Sequence, residues 1–336
     1  MSAVIDVHTH TLTTEWFDLL KQHGGPRYTT KEVQPGLHAI HLDGAPFMTP
    51  VPPMFDYDLR LKKMDQAGID IAVLSLTCPN VFWGGEAISL KAAKIMNVSM
   101  AAAQTAHPDR IRWMASLPWE YPQTALAELE RATSKGAGAV GVMVLANING
   151  KALTDPLFEP IWKRIDEKGL PVLIHPTAPP GVAEMGMHEF QLTASIGFTF
   201  DTTLAISRMM LDGFFERFQK LKIIASHGGG ALPFLIGRLD QCWYEIPATR
   251  AKTDHRPSYF MRPSDALRMI YCDAVVFRQD ALEMAVSAFG SDRVMYGSDY
   301  PHTIGDMFGC LARVDRLTGG TRPKVRGQNA QRLFGI

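Results

Sequence analysis

Two histidines near the N-terminus, His8 and His10, are separated by one residue and follow a short apolar run. Successive side chains of an extended strand point to opposite faces, so both imidazoles would project from the same face. Two neutral imidazoles on one face supply half of the ligands that a divalent metal ion needs. A His-x-His pair alone is a weak indicator of a metal site, so further ligands must come from elsewhere in the chain.

Three more polar residues follow apolar runs by no more than two residues. His175 follows residues 170–174, His227 follows residues 221–225, and Asp299 follows residues 293–297. Taken singly, each histidine could be a buried group satisfied by hydrogen bonds, and Asp299 could simply precede the turn at Pro301. Only 11 of the 336 residues are histidine, so four of them at strand ends favour a metal site.

The elements that would position these residues alternate along the chain. Eight apolar runs alternate with amphipathic helical patterns, which predicts a parallel (β/α)8 TIM barrel, an α/β fold. The predicted strands cover residues 3–8, 69–76, 111–117, 139–145, 170–174, 221–225, 269–272 and 293–297. The predicted helices cover residues 56–68, 89–106, 122–136, 155–169, 202–218, 233–244, 281–289 and 325–334. Because the carboxyl ends of the strands share one barrel mouth, the four imidazoles and the carboxylate should converge there.

Residues 11–55 interrupt the alternation after the first strand. Gly24-Gly25-Pro26 and the prolines at positions 50, 52 and 53 predict an irregular insertion loop, with short strands around residues 37–42, that covers or lines a pocket. No internal repeat, low-complexity segment or linker is present, so residues 1–336 are predicted to form a single barrel domain.

Composition excludes several classes of partner. The 34 basic and 34 acidic residues give a net charge of zero, which argues against binding to nucleic acid or to an anionic membrane. No apolar run reaches the roughly 18 residues of a membrane-spanning helix, and no secretory signal is present. The four cysteines show no paired spacing, which predicts reduced thiols in a cytoplasmic protein.

Four motifs resemble the amidohydrolase superfamily. They are V-I-D-V-H-T-H at 4–10, L-I-H-P at 173–176, A-S-H-G-G-G-A-L-P-F at 225–234 and Y-G-S-D-Y-P-H at 296–302. Residues 55–70 and the closing G-Q-N-A-Q-R-L-F extend the likeness over nearly the whole chain. Within the superfamily the chain is similar to the metal-dependent decarboxylases typified by aminocarboxymuconate-semialdehyde decarboxylase.

The resemblance implies a metal site and a base. His8, His10, His175 and Asp299 match the family's metal ligands, and His227 matches the histidine that orients and deprotonates a metal-bound water. Residues 144–147 read V-L-A-N and supply no bridging lysine or carboxylate, so one metal ion is expected. Nitrogen-rich ligation with one carboxylate favours Zn²⁺, while Mn²⁺ occurs in decarboxylating relatives. The family also implies a homodimer.

Two departures concern the substrate pocket. Met48 stands where the similar decarboxylase has an arginine that holds a substrate carboxylate, and a thioether cannot replace that guanidinium. Ala194 stands where a pocket tryptophan is expected. Residues 197–203, G-F-T-F-D-T-T, and the H-P-T at 175–177 are more similar to decarboxylases of salicylate-type aromatic acids.

Four further residues are candidate substrate contacts. Arg238 matches a family arginine that can reach a neighbouring subunit's site, although a surface salt bridge is an equal alternative. Phe82 and Trp83 follow the second strand and would form either an apolar pocket wall or ordinary core. His302 replaces a phenylalanine and would lie beside the metal or the substrate.

These features predict a decarboxylase that uses one metal ion and acts on an aromatic or conjugated unsaturated carboxylic acid. His227 or Asp299 would deliver the proton that replaces CO2. A hydrolase of a lactone or amide, or a hydratase, is the alternative because it would share the same metal-activated water. A non-catalytic zinc protein is disfavoured, since a structural site would not need a base such as His227 beside it.

Overall fold

Thirteen strands are present in the computed structural model, which describes residues 3–245 and 261–336. In chain order they are β1 (Ile5–Thr11), β2 (Tyr28–Gln34), β3 (Leu37–Leu42), β4 (Ala45–Met48), β5 (Ile71–Leu76), β6 (Ile111–Ala115), β7 (Gly141–Leu145), β8 (Asn147–Ile148), β9 (Lys151–Ala152), β10 (Pro171–His175), β11 (Lys222–Ala225), β12 (Tyr271–Asp273) and β13 (Val294–Met295).

Twelve α-helices of at least four residues connect or flank these strands in the described residues. They are α1 (Thr14–His23), α2 (Tyr57–Ala67), α3 (Gly85–Ala106), α4 (Pro122–Ala132), α5 (Glu159–Lys168), α6 (Phe198–Leu211), α7 (Phe214–Arg217), α8 (Leu232–Glu245), α9 (Pro263–Leu267), α10 (Gln279–Phe289), α11 (Met307–Asp315) and α12 (Asn329–Phe334). Near the C-terminus, the short turn Thr321–Pro323 and the π-helical segment Lys324–Gln328 precede α12.

Eight strands form one parallel sheet in the order β1-β5-β6-β7-β10-β11-β12-β13. Hydrogen bonds between the first strand and the chain around β13 bring its two edges together. The Val7 amide donates to the Tyr296 carbonyl at 3.0 Å, and the Asp299 amide donates to the His8 carbonyl at 2.8 Å. The strands are buried almost throughout, as strands enclosed between a barrel interior and surrounding helices must be. The predicted TIM barrel is therefore confirmed.

The insertion after β1 is more regular than the sequence suggested. Thr13 caps α1, because its hydroxyl accepts a hydrogen bond from the Trp16 amide at 3.1 Å. Trp16 and Leu20 are fully buried against the barrel. Strands β2, β3 and β4 then form an antiparallel sheet, of which only β3 was predicted. The helix α1 ends directly before Gly24-Gly25-Pro26 and contains no proline or glycine itself, so its sequence is compatible with a helix that was not predicted.

Two predicted boundaries differ in ways that affect the site. Strand β1 continues to Thr11, three residues beyond the predicted end, so both His8 and His10 lie within the strand. The predicted helix over residues 202–218 is interrupted between α6 and α7, where Gly213 adopts a φ of 67°. A left-handed conformation of this kind ends a helix and is open to glycine at little cost.

Candidate metal centre and active site

Four predicted metal ligands converge at the mouth of the barrel. The Nε2 atoms of His8 and His10 are 3.0 Å apart. Asp299 Oδ1 lies 3.2 Å from His10 Nε2 and 3.4 Å from His8 Nε2. The His175 ring centre is 5.0 Å from that of His8 and 4.7 Å from that of His10. All four side chains are almost completely removed from solvent.

Hydrogen bonds on the far side of two rings fix where their protons lie. His175 Nδ1 is 2.8 Å from the Pro176 carbonyl, which can only accept, so Nδ1 carries the proton. His8 Nδ1 is 2.6 Å from Asp273 Oδ2 and donates to this carboxylate in the same way. In both rings Nε2 therefore presents a lone pair to the centre of the cluster.

His10 is held by a hydroxyl. Its Nδ1 lies 3.2 Å from Ser75 Oγ, and the Ser75 hydroxyl is 3.4 Å from the Thr9 carbonyl, to which it donates. Ser75 is then free to accept the Nδ1 proton of His10. All three imidazoles consequently direct an Nε2 lone pair inwards.

This arrangement fits a divalent cation. Two lone pairs 3.0 Å apart repel each other unless a positive charge lies between them, and ligands about 2.1 Å from one ion at right angles are about 3 Å apart. His175 Nε2 and Asp299 Oδ1 are also buried and have no hydrogen-bond partner among the described residues. The donor set of three imidazole nitrogens and one carboxylate oxygen is one that divalent transition metals prefer.

The surroundings shift the pKa values of the ligand groups in different directions: burial favours the neutral form of two imidazoles, whereas the Asp273 carboxylate outweighs burial at His8 and raises its pKa. Burial lowers the pKa of His10 to about 3 and that of His175 well below its ordinary value. Burial alone would raise the pKa of Asp299, but His302 and the neighbouring His10 hold it well below its usual value. Neutral imidazoles and an ionised carboxylate are the forms that bind a metal.

His227 lies beside the cluster on the turn after β11. Its Nε2 is 3.7 Å from Asp299 Oδ2, and its buried Nδ1 has no partner among the described residues. His227 has a φ of 54°, and the three glycines that follow it also have positive φ values. A Cβ at Gly229 would overlap the Phe289 ring, so glycine is required there by space as well as by conformation. This turn directs an imidazole at the open side of the metal cluster.

A cavity of about 320 Å³ opens over His175, His227 and Asp299. Its walls are mainly apolar and include Phe47, Met48, Met187, Ala194, Phe198 and Ile304. Its polar lining includes Thr49, His188, Gln191, Thr193, His302 and Thr303. No lysine or arginine lines it within residues 3–245 and 261–336. Met48, Ala194 and His302 thus lie where the sequence predicted substrate contacts.

Two further histidines line the cavity, and the sequence indicated only one of them. His302 Nε2 is 2.8 Å from Thr77 Oγ1, and its ring centre is 5.0 Å from that of His10, so it lies beside the metal cluster. The sequence did not single out His188. It is exposed, but it lines the cavity because the segment after β10 folds across the barrel mouth.

Three candidate substrate residues lie away from this cavity. Phe82 and Trp83 are buried, and Trp83 Nε1 donates to the Asn80 carbonyl at 3.0 Å while its ring packs edge-on against Trp16. Their burial fits the core alternative that the sequence left open, and they do not line the cavity over the metal cluster. Arg238 is exposed on α8 and does not line the cavity of its own chain.

The sequence did not single out Asp273, although it ends the seventh strand as Asp299 follows the eighth. Asp273 is fully buried and accepts the proton of His8 Nδ1. The same rule that selected Asp299, a carboxylate after an apolar run, would have found it.

The end of the fourth barrel strand is directed away from the metal cluster. Asn147 Nδ2 is 3.0 and 3.1 Å from the two carboxylate oxygens of Asp201 on α6, and Asp201 Oδ2 also accepts from the Thr177 amide at 3.0 Å. The position where a bridging ligand is expected thus anchors the loop after His175 to α6.

The chain matches a known family over almost its whole length. The sequence profile of the amidohydrolase family matches residues 5–336. The 2-amino-3-carboxymuconate-6-semialdehyde decarboxylase of Dictyostelium discoideum is 28% identical over 340 residues, which cover 100% of this chain and 92% of the relative. The gamma-resorcylate decarboxylase of Rhizobium sp. (strain MTP-10005) is 28% identical over 292 residues, which cover 82% of this chain and 86% of the relative.

Solved structures are similar over the whole chain. The 5-carboxyvanillate decarboxylase from Sphingomonas paucimobilis is 25% identical, with a TM-score of 0.85 and coverage of 100% of both chains. A dihydroxybenzoic acid decarboxylase from Polaromonas, determined with manganese and 2-nitroresorcinol, is 24% identical with a TM-score of 0.79 and covers 100% of this chain and 97% of its own. At 24% identity, the similarity to the Polaromonas structure shows only a shared fold. The named relatives are decarboxylases, which confirms the predicted branch and the predicted class of enzyme, a carboxy-lyase.

Two further findings bear on the environment of the protein. Across the described parts of the chain, none of the helices combines the length and apolar character needed to cross a membrane. All four cysteines are free thiols, and three of them are buried.

The Asp201 carboxyl should make stability depend on pH. Burial raises its pKa to about 6 from an ordinary 3.8, although the Thr177 amide and Asn147 lower it. The folded protein therefore favours the protonated form, and this contribution to stability is complete below about pH 4 and is lost as pH rises through about 6. When the pH is lowered from 7 to 4, the unfolding free energy of the wild-type protein should rise by up to about 3 kcal/mol relative to that of an Asp201→Asn variant.

Urea denaturation of both metal-free proteins across that pH range measures the difference. A difference that is independent of pH would show that Asp201 is ionised in the folded protein throughout.

Proposed function

The chain belongs to the amidohydrolase family, and from this premise we propose that it decarboxylates an aromatic acid that carries a hydroxyl group next to its carboxylate. The observation that carries the proposal is the cluster of three inward-facing imidazole nitrogens and Asp299 at the base of an apolar cavity of about 320 Å³. Within the described residues no lysine or arginine lines this cavity, so the metal centre is the cationic group available to the carboxylate. Met48 and Ala194 leave the opposite wall suited to an aromatic ring.

We infer that one divalent ion is held by His8, His10, His175 and Asp299. Zinc suits three imidazoles and one carboxylate, and manganese, present in the Polaromonas structure, is the alternative. The engagement of Asn147 with Asp201 supports a single ion, because a second would need a bridging side chain at that strand end.

The reaction breaks the bond between the ring carbon and the carboxyl carbon, and a proton takes the place of the released CO2. When bound, the ion supplies an electrophilic centre for the carboxylate and the neighbouring hydroxyl. Asp299 Oδ2 and His227 Nε2, 3.7 Å apart, form the proton-transfer pair at the cavity floor. His227 or Asp299 delivers the proton to the ring carbon, and solvent restores it after the product leaves. The apolar walls exclude water from the ring during this transfer.

We propose a homodimer, as the family resemblance implies. Arg238 is exposed on the outer helix α8 and does not line the cavity of its own chain, so it would contact a substrate only in the cavity of a neighbouring subunit. Light scattering should give twice the mass of the chain. A fully active monomer would show that Arg238 is not a substrate contact. The four free thiols are in keeping with a cytoplasmic location.

We expect CO2 release from hydroxybenzoates that carry the hydroxyl ortho to the carboxylate. Benzoates with only a meta or para hydroxyl serve as matched controls and should react far more slowly, because they offer the metal centre one group instead of two. Headspace CO2 and chromatography of the phenol provide the measurement. If none of these benzoates releases CO2 and the protein hydrolyses lactones or amides instead, the hydrolase alternative is favoured.

His227→Asn should separate proton transfer from metal binding. We expect kcat to fall by about 10²–10⁴-fold while metal content remains that of wild type, because His227 stands beside the ligands and is not one of them. Asp299→Ala should lose both activity and metal, as elemental analysis would show. His107→Asn is the control, since His107 follows α3 just before β6 begins, at the opposite end of the barrel. Loss of the metal from His227→Asn would contradict the assigned role.

A further inference from the structure

We propose that Asp273 is a positioning residue that sets two parts of the active site at once: the position of the proton on His8 and the direction of the His227 side chain. The proposal rests on the metal centre described above and is independent of the substrate. Asp273 ends β12, the strand adjacent to both β11 and β13, so its side chain lies between the segments that carry the base and the ligand Asp299.

Both oxygens of this fully buried carboxylate are occupied by donors. Oδ2 accepts from His8 Nδ1 at 2.6 Å and from the His227 amide at 3.0 Å. Oδ1 accepts from the Gly228 amide at 3.0 Å and from the Val275 amide at 2.9 Å. Four donors on one carboxylate compensate for the cost of its burial and keep it ionised.

The contact with His8 selects one of two tautomers. With the proton on Nδ1, the His8 Nε2 lone pair faces the metal position. With the proton on Nε2, the ring could instead donate to His10 Nε2 at 3.0 Å or to Asp299 Oδ1 at 3.4 Å, which would close the site without a metal. An ionised carboxylate at Nδ1 accepts a proton and cannot donate one, so Asp273 favours the tautomer that binds metal.

The contacts with the amides hold the turn that aims His227. A non-glycine residue with a φ of 54° is uncommon and needs support from its surroundings. Asp273 supplies this support by accepting from the amides of both His227 and Gly228. The turn so held places His227 Nε2 within 3.7 Å of Asp299 Oδ2.

Asp273→Asn tests this role while keeping half of the cap on the turn. The retained amide oxygen of asparagine still accepts from Gly228 and Val275, while its NH2 group takes the position of Oδ2 and faces both His8 Nδ1 and the His227 amide. Two donors would then oppose each other at each of these two contacts. His8 would move its proton to Nε2 to accept from the new amide, whereas the His227 amide would lose its acceptor. Two of the four hydrogen bonds to the side chain remain, one is reversed and one is lost.

Long-range ¹H–¹⁵N spectra of histidine-labelled, metal-free protein under mildly alkaline conditions report the tautomers directly. We expect His8 to carry its proton on Nδ1 in the wild type and on Nε2 in Asp273→Asn, with the signal assigned by its absence from His8→Gln. Titration of Zn²⁺ against a chelator should show about 10–100-fold weaker binding to Asp273→Asn. Asp201→Asn is the matched control, because it removes a buried carboxylate that contacts no imidazole, and it should retain the wild-type tautomer and affinity.

Two results would overturn the proposal. One is a wild-type His8 with its proton on Nε2, a measurement that needs no variant and so does not depend on Asp273→Asn folding. The other is a folded Asp273→Asn protein with unchanged tautomer and Zn²⁺ affinity. Because neither measurement uses a substrate, absence of CO2 release would count against the proposed reaction and leave the role of Asp273 standing.

Discussion

Three buried imidazole lone pairs face one another at the mouth of this barrel, and much of the surrounding structure exists to hold them there. The Nε2 atoms of His8 and His10 are 3.0 Å apart, a separation that two acceptors tolerate only when a cation lies between them. Each ring is held from behind by a different acceptor: a carboxylate, a hydroxyl and a backbone carbonyl. With its outer nitrogen so engaged, each ring has its inner nitrogen available for the metal.

Closure of the barrel completes the ligand set. His8 and His10 lie on the first strand, and Asp299 follows the last, so the carboxylate reaches the imidazoles only where those two strands meet. The Asp299 amide donates to the His8 carbonyl at 2.8 Å, which joins the two ligands through the backbone as well. Ser298 adds to this junction by donating from its amide and its hydroxyl to the buried carboxylate of Asp6.

Two of the seven non-glycine residues with positive φ in the described parts of the chain belong to the candidate site. Both His227 and Asp299 adopt left-handed conformations, with φ values of 54° and 57°. Such conformations cost about 1–3 kcal/mol each and persist only where neighbouring contacts enforce them. Here Asp273 supports the His227 turn, and the His8 carbonyl accepts from the Asp299 amide. The strain places an imidazole and a carboxylate oxygen side by side at the floor of the cavity.

Metal binding and substrate choice are assigned to different parts of the chain. The strand ends supply the ligands, whereas the insertion after β1 and the segment after β10 supply much of the cavity wall, including Phe47, Met48, Met187, Ala194 and Phe198. Loops of this kind vary more readily than the barrel strands, although the segment after β10 also supplies the Pro176 carbonyl that holds His175.

The barrel and the five residues at its mouth were predicted from the sequence alone, because strand periodicity and apolar runs are local properties, and the resemblance of four motifs indicated the family. Strand ends are readable along the chain, and the fold brings parallel strand ends together. The tertiary structure decided what local patterns do not encode. Phe82 and Trp83 turn into the core, since the packing of Trp83 against Trp16 and its bond to Asn80 direct them there. Asp273 acquires its role from His8, a residue 265 positions away in the chain. A hydrogen bond across that separation exists only once the barrel has closed, so the proton position on His8 is a property of the fold.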